Sequence, residues 1–447
     1  MKMMRAIAGV ALAAVLAGSL TACGQKGSGS GEAAGTSQAT GGTTQTSDGV
    51  TEISFWYTDN KLMVPYVQQR VDDFNKEYEG TYHLNVEFIP RGSSYAYEDK
   101  VNAAASAGIL PDILSMDGVN VSNYAANGIV IPITQYITEE SKNDMMPSMV
   151  LQNTYENEMY AIGFSEATCL LFYNKDVFEA NGFRIPESMD DAYTWTELYD
   201  MAKKIATPEM AGIKIIMNKG EGIPYGLLPL WMSAGAPVVS EDGSVCEGYM
   251  NSEKSIETAT YLQKFFTEKL ANIDPTPTEF QDGKAAMWIA ANVSEITGFE
   301  KDYPDLNWGA TYLPRYDSGQ VSAPCGSWAA GITKNCKNPD AAFVALDFLT
   351  NKDSAKIYSD NSGYPSARQS SYEGNDKWST YPYNMAAEQL FEAAVPRPKT
   401  PIYTVLSPKF SETMLDIFTG SDPKESLDSL AEYVDAEYVR FQDSLGK

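Results

Sequence analysis

Short β-prone runs alternate with amphipathic helical segments from residue 52 onward, and this alternation strongly limits the folds that the chain can adopt. The run 52–57 is β-prone, and the apolar residues over 64–78 recur at spacings of three and four, as on one face of a helix. Residues 84–89 alternate, an alanine-rich segment ends at Gly108, and another strand-like run follows at 113–116. This is the order of βαβ units, so the sequence predicts an α/β fold with a mostly parallel sheet flanked by helices.

The second half of the chain repeats this order and carries clear helix-start signals. Residues 170–173 are strand-like, and Thr194-Trp-Thr-Glu197 is a capping box that predicts a helix to about residue 205. An Asn-Pro pair opens a predicted helix over 338–349, and an Asp-Pro pair opens a longer one over 422–445. The proline-rich run 395–401 is too short to separate domains, and we interpret it as a surface crossing.

The N-terminus has the features of an export signal. Lys2 and Arg5 precede an apolar run, 6–20, that is shorter than the roughly 20 residues needed to span a bilayer. A basic start, a short apolar stretch and small residues before a cleavage point are typical of a signal peptide, which we assign to residues 1–22. The ending Leu20-Thr-Ala-Cys23 resembles a bacterial lipobox, in which the cysteine carries diacylglycerol. Ordinary signal cleavage, with Cys23 incidental, is the alternative.

Residues 23–49 form a predicted tether that follows the cleavage point. Residues 24–49 contain 8 Gly, 4 Ser and 5 Thr and no aromatic residue, a composition typical of flexible linkers. The sequence therefore predicts an exported protein that a lipid on Cys23 anchors to the outer face of the bacterial cytoplasmic membrane.

Charge and composition exclude several classes of function. The 447 residues include 33 basic and 59 acidic side chains, and a net charge of −26 argues against nucleic acid as a partner. The single histidine, His83, excludes zinc sites with two or more histidine ligands, and we interpret it as a polar strand position. The four cysteines after Cys23 have no metal or redox spacing, so we predict no metal and no cofactor. Whether these cysteines are thiols or form a bridge stays open.

Aromatic and acidic residues follow the predicted strands, where open α/β sheets bind their ligands. Trp56 and Asp59 end the first strand, and Asp117 ends the strand at 113–116. An aromatic ring beside a carboxylate suits a sugar, whose C–H face stacks on the ring while its hydroxyls donate to the acid. Further tryptophans that we consider as candidates are Trp231, Trp288 and Trp328.

Seven segments, ordered along 52–445, resemble the carbohydrate-binding lipoproteins of ABC importers, the extracellular solute-binding family that includes maltose-binding protein. The most specific are Leu110-Pro-Asp-Ile113 and Tyr173-Asn-Lys-Asp176. The others are Ile53-Ser-Phe-Trp56, Ala126-Asn-Gly-Ile-Val-Ile-Pro132, Thr194-Trp-Thr-Glu-Leu198, Asp282-Gly-Lys-Ala-Ala-Met287 and Asn338-Pro-Asp-Ala-Ala342.

The resemblance implies a two-lobed periplasmic-binding-protein-like fold that encloses its ligand between the lobes. Lobe 1 would comprise 50–165 and 326–363, and lobe 2 would comprise 166–325 and 364–447. It also implies a monomeric receptor that closes by hinge motion around a sugar or oligosaccharide, docks on an ABC permease and performs no chemistry.

Individual residues inherit ligand-binding roles from the motifs that they match. Val293 and Met116 stand where maltose-binding protein has tryptophans, so a sugar other than a maltodextrin is favoured. The residues that match are Trp56, Asp59, Asp117, Glu166, Trp288, Asn292 and Arg368.

Three alternatives remain on the sequence alone. A polyamine or other cationic solute would use the same pairing of aromatic rings and acids. A secreted glycoside hydrolase would use two carboxylates, for which the chain has many candidates. A structural surface lipoprotein would keep the fold with a vestigial cleft.

Overall fold

The computed structural model describes residues 44–45, 49–92, 95–217 and 220–446, all of which belong to one compact unit. The predicted signal peptide, Cys23 and most of the predicted tether lie outside the described residues. None of the helices in the described part of the chain combines the length and the hydropathy that a membrane span requires.

Strands and helices alternate through the described chain. The strands are β1 (Thr44–Gln45), β2 (Thr51–Thr58), β3 (Tyr82–Ile89), β4 (Ile113–Asp117), β5 (Thr154–Tyr155), β6 (Glu158–Met159), β7 (Ile162–Gly163), β8 (Cys169–Asn174), β9 (Met287–Asn292), β10 (Trp308–Thr311), β11 (Ala323–Cys325), β12 (Trp328–Ile332) and β13 (Ala394–Pro396). The helices are α1 (Val64–Glu77), α2 (Ala96–Ala107), α3 (Val121–Ala126), α4 (Glu139–Asp144), α5 (Pro147–Gln152), α6 (Lys175–Asn181), α7 (Trp195–Ile205), α8 (Gly222–Ser233), α9 (Glu253–Thr267), α10 (Glu295–Asp302), α11 (Pro339–Thr350), α12 (Lys352–Ser362), α13 (Tyr383–Glu392), α14 (Tyr403–Phe418) and α15 (Pro423–Ser444).

The local start and stop signals are confirmed. The Thr194 hydroxyl accepts from the Glu197 backbone N–H and the Glu197 side chain accepts in return, so the capping box opens α7 as predicted. The Asn338 and Asp422 side chains also cap α11 and α15, each by accepting from one backbone N–H. Gly108 ends α2 in a left-handed conformation, which glycine adopts without a steric penalty.

The first sheet has the order β1-β2-β4-β12-β7, with β3 paired to β2. Strand β2 runs parallel to both β3 and β4, as predicted. Strand β12 is antiparallel to β4 and β7 because the chain enters this sheet again in the opposite direction after passing through the second lobe. The single histidine of the chain, His83, lies on β3 as a half-exposed polar residue, as predicted. Its Nδ1 lies 2.9 Å from Glu52 Oε2.

The second sheet, in the order β10-β8-β9, corrects the prediction of mostly parallel sheets. Both of its strand pairs are antiparallel. Four helices, α6 to α9, separate β8 from β9 along the chain. A connection of this length can return to either end of a sheet, so the local pattern cannot fix the direction of the strand.

Each sheet has its own buried core, which gives the molecule two lobes. Side chains alternate across β2, so that Phe55 and Tyr57 face α1, α11 and α12, whereas Trp56 faces α2 and α3. The second core packs α7, α8, α9, α14 and α15 around β8 and β9.

The chain passes between the two sheets at three adjacent places. These are near residues 164–167, 325–327 and 363–367, and hydrogen bonds join them. The Glu166 N–H donates to the Pro365 carbonyl at 2.8 Å, and the Ser165 and Ser327 hydroxyls lie 3.3 Å apart. These three crossings form the floor between the lobes.

Candidate functional site

A cavity of about 210 Å³ lies where the two lobes meet the three crossings. The first lobe contributes the ends of β2, β4 and β12, and the second lobe contributes the start of α8 and the residues after β13. Its lining residues are Asn60, Arg91, Asp117, Ala167, Glu221, Gly222, Tyr225, Asn292, Gly326, Ser327, Trp328, Tyr364 and Arg397. A larger groove of about 950 Å³ runs along α1 and α11, but none of the predicted site residues line it.

Arg397 connects the two lobes across this cavity. Its Nη2 lies 2.6 Å from Asp117 Oδ1 and its Nη1 lies 2.5 Å from Glu221 Oε1. The Arg397 side chain is 3% exposed, and its Nε has no hydrogen-bond partner among the described residues. Burial would lower the pKa of Arg397, but Asp117 and Glu221 outweigh this and raise it, so the guanidinium stays charged.

Asp117 is held between two arginines. Arg91 Nη2 lies 3.4 Å from Asp117 Oδ2 and 2.8 Å from Glu98 Oε1. Burial alone would raise the pKa of Asp117, but the Arg397 and Arg91 guanidinium groups outweigh it and hold this pKa below its usual range. Asp117 is therefore an ionised hydrogen-bond acceptor at neutral pH.

Glu221 precedes α8 and is fixed by three donors from the C-terminal part of the chain. Besides Arg397, the hydroxyls of Tyr403 and Ser407 each donate to it at 2.5 Å. The Ser407 hydroxyl is also 2.9 Å from the hydroxyl of Tyr95, which belongs to the other lobe. These contacts hold the Glu221 carboxylate at the cavity wall.

Trp328 supplies part of the aromatic surface of the cavity, together with Tyr225 and Tyr364. It begins β12, beside Asp117 in register. Its ring packs edge-on against Tyr97, with the centroids 5.5 Å apart, and the Arg91 guanidinium lies 5.0 Å from the ring centroid. Asn292, at the end of β9, lines the opposite part of the cavity. Asp117, Asn292 and Trp328 are thus the predicted residues that the structure brings together.

Trp56 and Asp59 do not line the cavity, contrary to the prediction. Trp56 is 7% exposed and packs in the core of the first lobe, with the Lys100 ammonium 4.4 Å from its ring centroid. Successive side chains of a strand point to opposite faces of the sheet, so Trp56 points away from the face on which Phe55 and Tyr57 lie. Asp59 accepts from the Arg91 backbone N–H at 3.4 Å, and its neighbour Asn60 lines the cavity instead.

Trp231 and Trp288 are core residues of the second lobe, which corrects their predicted role. Trp231 is fully buried against Phe410, and Trp288 is 9% exposed with the Lys214 ammonium 3.9 Å from its ring centroid. Large aromatic rings on buried helices and strands add apolar area to the core, and these two rings do so.

Glu166 and Arg368 are buried structural groups and do not reach the cavity either. Glu166 lies behind the floor, where it accepts from the Ser148 hydroxyl and from the backbone N–H groups of Ala167 and Gly326. Burial raises the pKa of Glu166. Arg368 donates to the backbone carbonyls of Thr350 and Ser141, at 3.0 and 2.7 Å.

The cavity residues that the sequence analysis missed include three charged ones, Arg91, Glu221 and Arg397. Arg397 lies in the proline-rich run 395–401 and lines the cavity, so this run is not only the surface crossing that we predicted. The available signal was the Pro-Arg-Pro context, in which a lone basic residue stands between two prolines that restrict the backbone. Arg91, Glu221 and Tyr225 carry no comparable local signal.

Comparison with known proteins identifies the family. Residues 60–356 match the family of bacterial extracellular solute-binding proteins. The chain belongs to this family. The resemblance drawn from the sequence motifs is thereby confirmed, and the members of this family are substrate-binding proteins and not enzymes.

Relatives and solved structures agree with this assignment. The chain is 22% identical to the galactooligosaccharide-binding protein of Bacillus subtilis over 449 residues, with 97% of each chain covered. The sugar-binding protein MalE of Xanthomonas citri has the same fold, with a TM-score of 0.75, 18% identity, and 89% of this chain and 100% of that chain covered. A solute-binding protein of Thermotoga lettingae, bound to tagatose, has a TM-score of 0.74, 20% identity, and 87% and 99% coverage.

Proposed function

We propose that this solute-binding protein captures a small neutral sugar in the cavity at Asp117, Trp328 and Arg397 and delivers it to an ABC permease. The observation that carries the proposal is a cavity whose walls come from both lobes and combine ionised hydrogen-bonding groups with an aromatic ring. Carboxylate oxygens accept from sugar hydroxyls and guanidinium groups donate to them, while the tryptophan ring offers apolar surface to the C–H groups.

The size of the cavity supports a small ligand. Its volume of about 210 Å³ is below the range of about 300–1,000 Å³ that is usual for pockets with drug-sized ligands. A monosaccharide or a disaccharide fits this volume better than a longer chain. The galactooligosaccharide and tagatose named for two of the similar proteins also support a carbohydrate ligand.

The charges of the cavity favour a neutral sugar over the alternatives. Asp117 and Glu221, which a polyamine would need, are already paired with Arg397. A glycoside hydrolase needs one carboxyl that donates a proton, and the lowered pKa of Asp117 makes it a poor donor.

The lobes and the anchor complete the proposal. The lobe boundaries, 50–165 with 326–363 and 166–325 with 364–447, place one hinge element at each of the three crossings. We propose that the lobes close on the sugar as a monomer, while a lipid on Cys23 holds the protein at the outer face of the cytoplasmic membrane. Closure would present both lobes together to the permease.

Thermal unfolding with a panel of ligands tests the sugar proposal. A ligand that binds only the folded protein adds about 2.7 kcal/mol at a hundredfold excess over its dissociation constant, so we expect one class of mono- or disaccharides to raise the midpoint. Trp328→Ala should abolish that rise. Tyr433→Ala, at an exposed aromatic residue on α15 outside the cavity, should keep it. The proposal would be contradicted if polyamines alone raised the unfolding midpoint, or if none of the sugars raised it.

A further inference from the structure

The charges that line the cavity are balanced, although the protein as a whole carries a net charge of −26. The lining includes two arginines, Arg91 and Arg397, and two carboxylates, Asp117 and Glu221. Two other carboxyls, Glu98 and Glu166, belong to residues outside the lining, and burial raises the pKa of each. A strongly acidic protein attracts cations to its surface. The charges in the cavity are balanced because these two arginines offset the two carboxylates of the lining.

Arg397 contributes more than Arg91 to neutralising the two carboxylates of the lining. It contacts both lining carboxylates at once, one from each lobe, at 2.6 and 2.5 Å. Arg91 contacts only Asp117 of the two, at 3.4 Å, and is closer to Glu98. Without Arg397, two carboxylates would face one guanidinium that is already shared. An unpaired carboxylate at a water-poor wall attracts a cation within about 4 Å much more strongly than it does in bulk water.

We propose that Arg397 is a specificity-determining residue that makes the cavity select neutral solutes over cationic ones. The inference rests on the proposed carbohydrate function and deepens it, because it assigns the rejection of amino sugars and amines to one side chain. Arg397 neutralises the carboxylates that would otherwise pair with an ammonium group, and its guanidinium repels that group. Among the described residues, Nη2 contacts Asp117 alone, so its second N–H can donate to a hydroxyl oxygen of a neutral sugar.

Pairs of sugars that differ by one ammonium group test this inference. Binding of glucose and glucosamine, galactose and galactosamine, and of putrescine is measured by calorimetry on the full chain near pH 6, where the amines are protonated. The wild-type protein should prefer the neutral member of a pair. Arg397→Gln should shift the preference towards the amino sugar by about tenfold or more, and putrescine should gain affinity in the same variant.

Two controls separate charge from the loss of the side chain. Adding Asp117→Asn to Arg397→Gln restores the balance of charges and should remove the gain for amines. Lys399→Gln removes a positive charge from the same chain segment, outside the cavity lining, and should leave the preference unchanged. A folded Arg397→Gln protein with the wild-type preference would overturn the inference.

A reciprocal variant keeps the inference testable if Arg397→Gln does not fold. Asp117→Asn with Glu221→Gln leaves two guanidinium groups unopposed in the lining and should favour glucuronate over glucose; an unchanged preference would overturn the inference. If the wild-type protein binds no sugar but Arg397→Gln gains affinity for putrescine, the carbohydrate proposal fails while the proposed role of Arg397 stands.

Discussion

At the scale of single residues, the ionised state of Asp117 depends on its partners. Asp117 contributes to a buried pair with Arg397, and its pKa in the folded protein lies below that of an exposed aspartate. A lowered pKa means that the pair stabilises the protein above the unfolded-state pKa, near 3.9, and that this contribution is lost as the pH falls through the folded-state pKa.

We therefore expect Asp117→Asn to lower the free energy of unfolding by about 3 kcal/mol at pH 7, because Arg397 keeps a buried charge with one partner fewer. The difference between wild type and variant should shrink steadily below about pH 4. Urea unfolding across this range of pH measures it. Asp274→Asn, at an exposed aspartate, should change the free energy of unfolding by less than about 0.5 kcal/mol. If the loss of unfolding free energy in Asp117→Asn did not depend on pH, it would contradict the assignment of Asp117 as an ionised partner of Arg397.

At the scale of elements, several of the described helices begin where a capping side chain satisfies a free backbone N–H group. In α7 this takes the full reciprocal form, in which Thr194 and Glu197 each accept from the backbone of the other. The start of α7 also touches the strand region near Arg315, whose carbonyl accepts from the Trp195 N–H at 3.0 Å. The residues at this cap therefore fix both the start of α7 and its position within the second lobe.

Thr194→Ala should lower the free energy of unfolding by about 1 kcal/mol, because the Glu197 N–H loses its acceptor. Thr260→Ala is the matched control, since the Thr260 hydroxyl only donates to the Ile256 carbonyl within its own helix. That control should be neutral or slightly stabilising, as alanine is the better helix former. Chemical denaturation of both variants measures the difference, and equal effects would argue against a specific cap.

At the scale of the whole molecule, the chain combines a predicted export signal, a predicted tether and a two-lobed body. The body carries the binding cavity, whereas attachment to the membrane is predicted from residues 1–49 alone. Because a single acyl chain anchors a protein only weakly, a diacylglycerol on Cys23 would be needed for stable attachment.

Cys23→Ser should remove fatty-acid labelling of the protein and move it from the membrane fraction to the medium or periplasm. Metabolic labelling with a fatty-acid analogue, followed by fractionation, measures both effects. Cys336→Ser, at a partly exposed cysteine of the body, should keep the label and the membrane location. Labelling that persists in Cys23→Ser would show that Cys23 is not the lipidated residue.

The features that depend on neighbours along the chain could be predicted from the sequence. Helix caps such as Thr194, the helix end at Gly108, and the parallel strands β2 to β4 follow from local hydrogen bonding and from the spacing of apolar residues. The motifs also led to the solute-binding family and to Asp117 and Asn292, whereas Trp328 was a candidate only as one of several tryptophans.

Which side chains meet in the cavity could not be predicted from the sequence, because it depends on the packing of distant segments. Asp117 and Arg397 are 280 positions apart in sequence, and their contact exists because the chain crosses three times between the lobes. The direction of β9, the burial of Trp231 and the place of Arg397 in the cavity wall all depend on where a long connection returns. A local pattern carries no information about that return, since it is fixed by the packing of both lobes together.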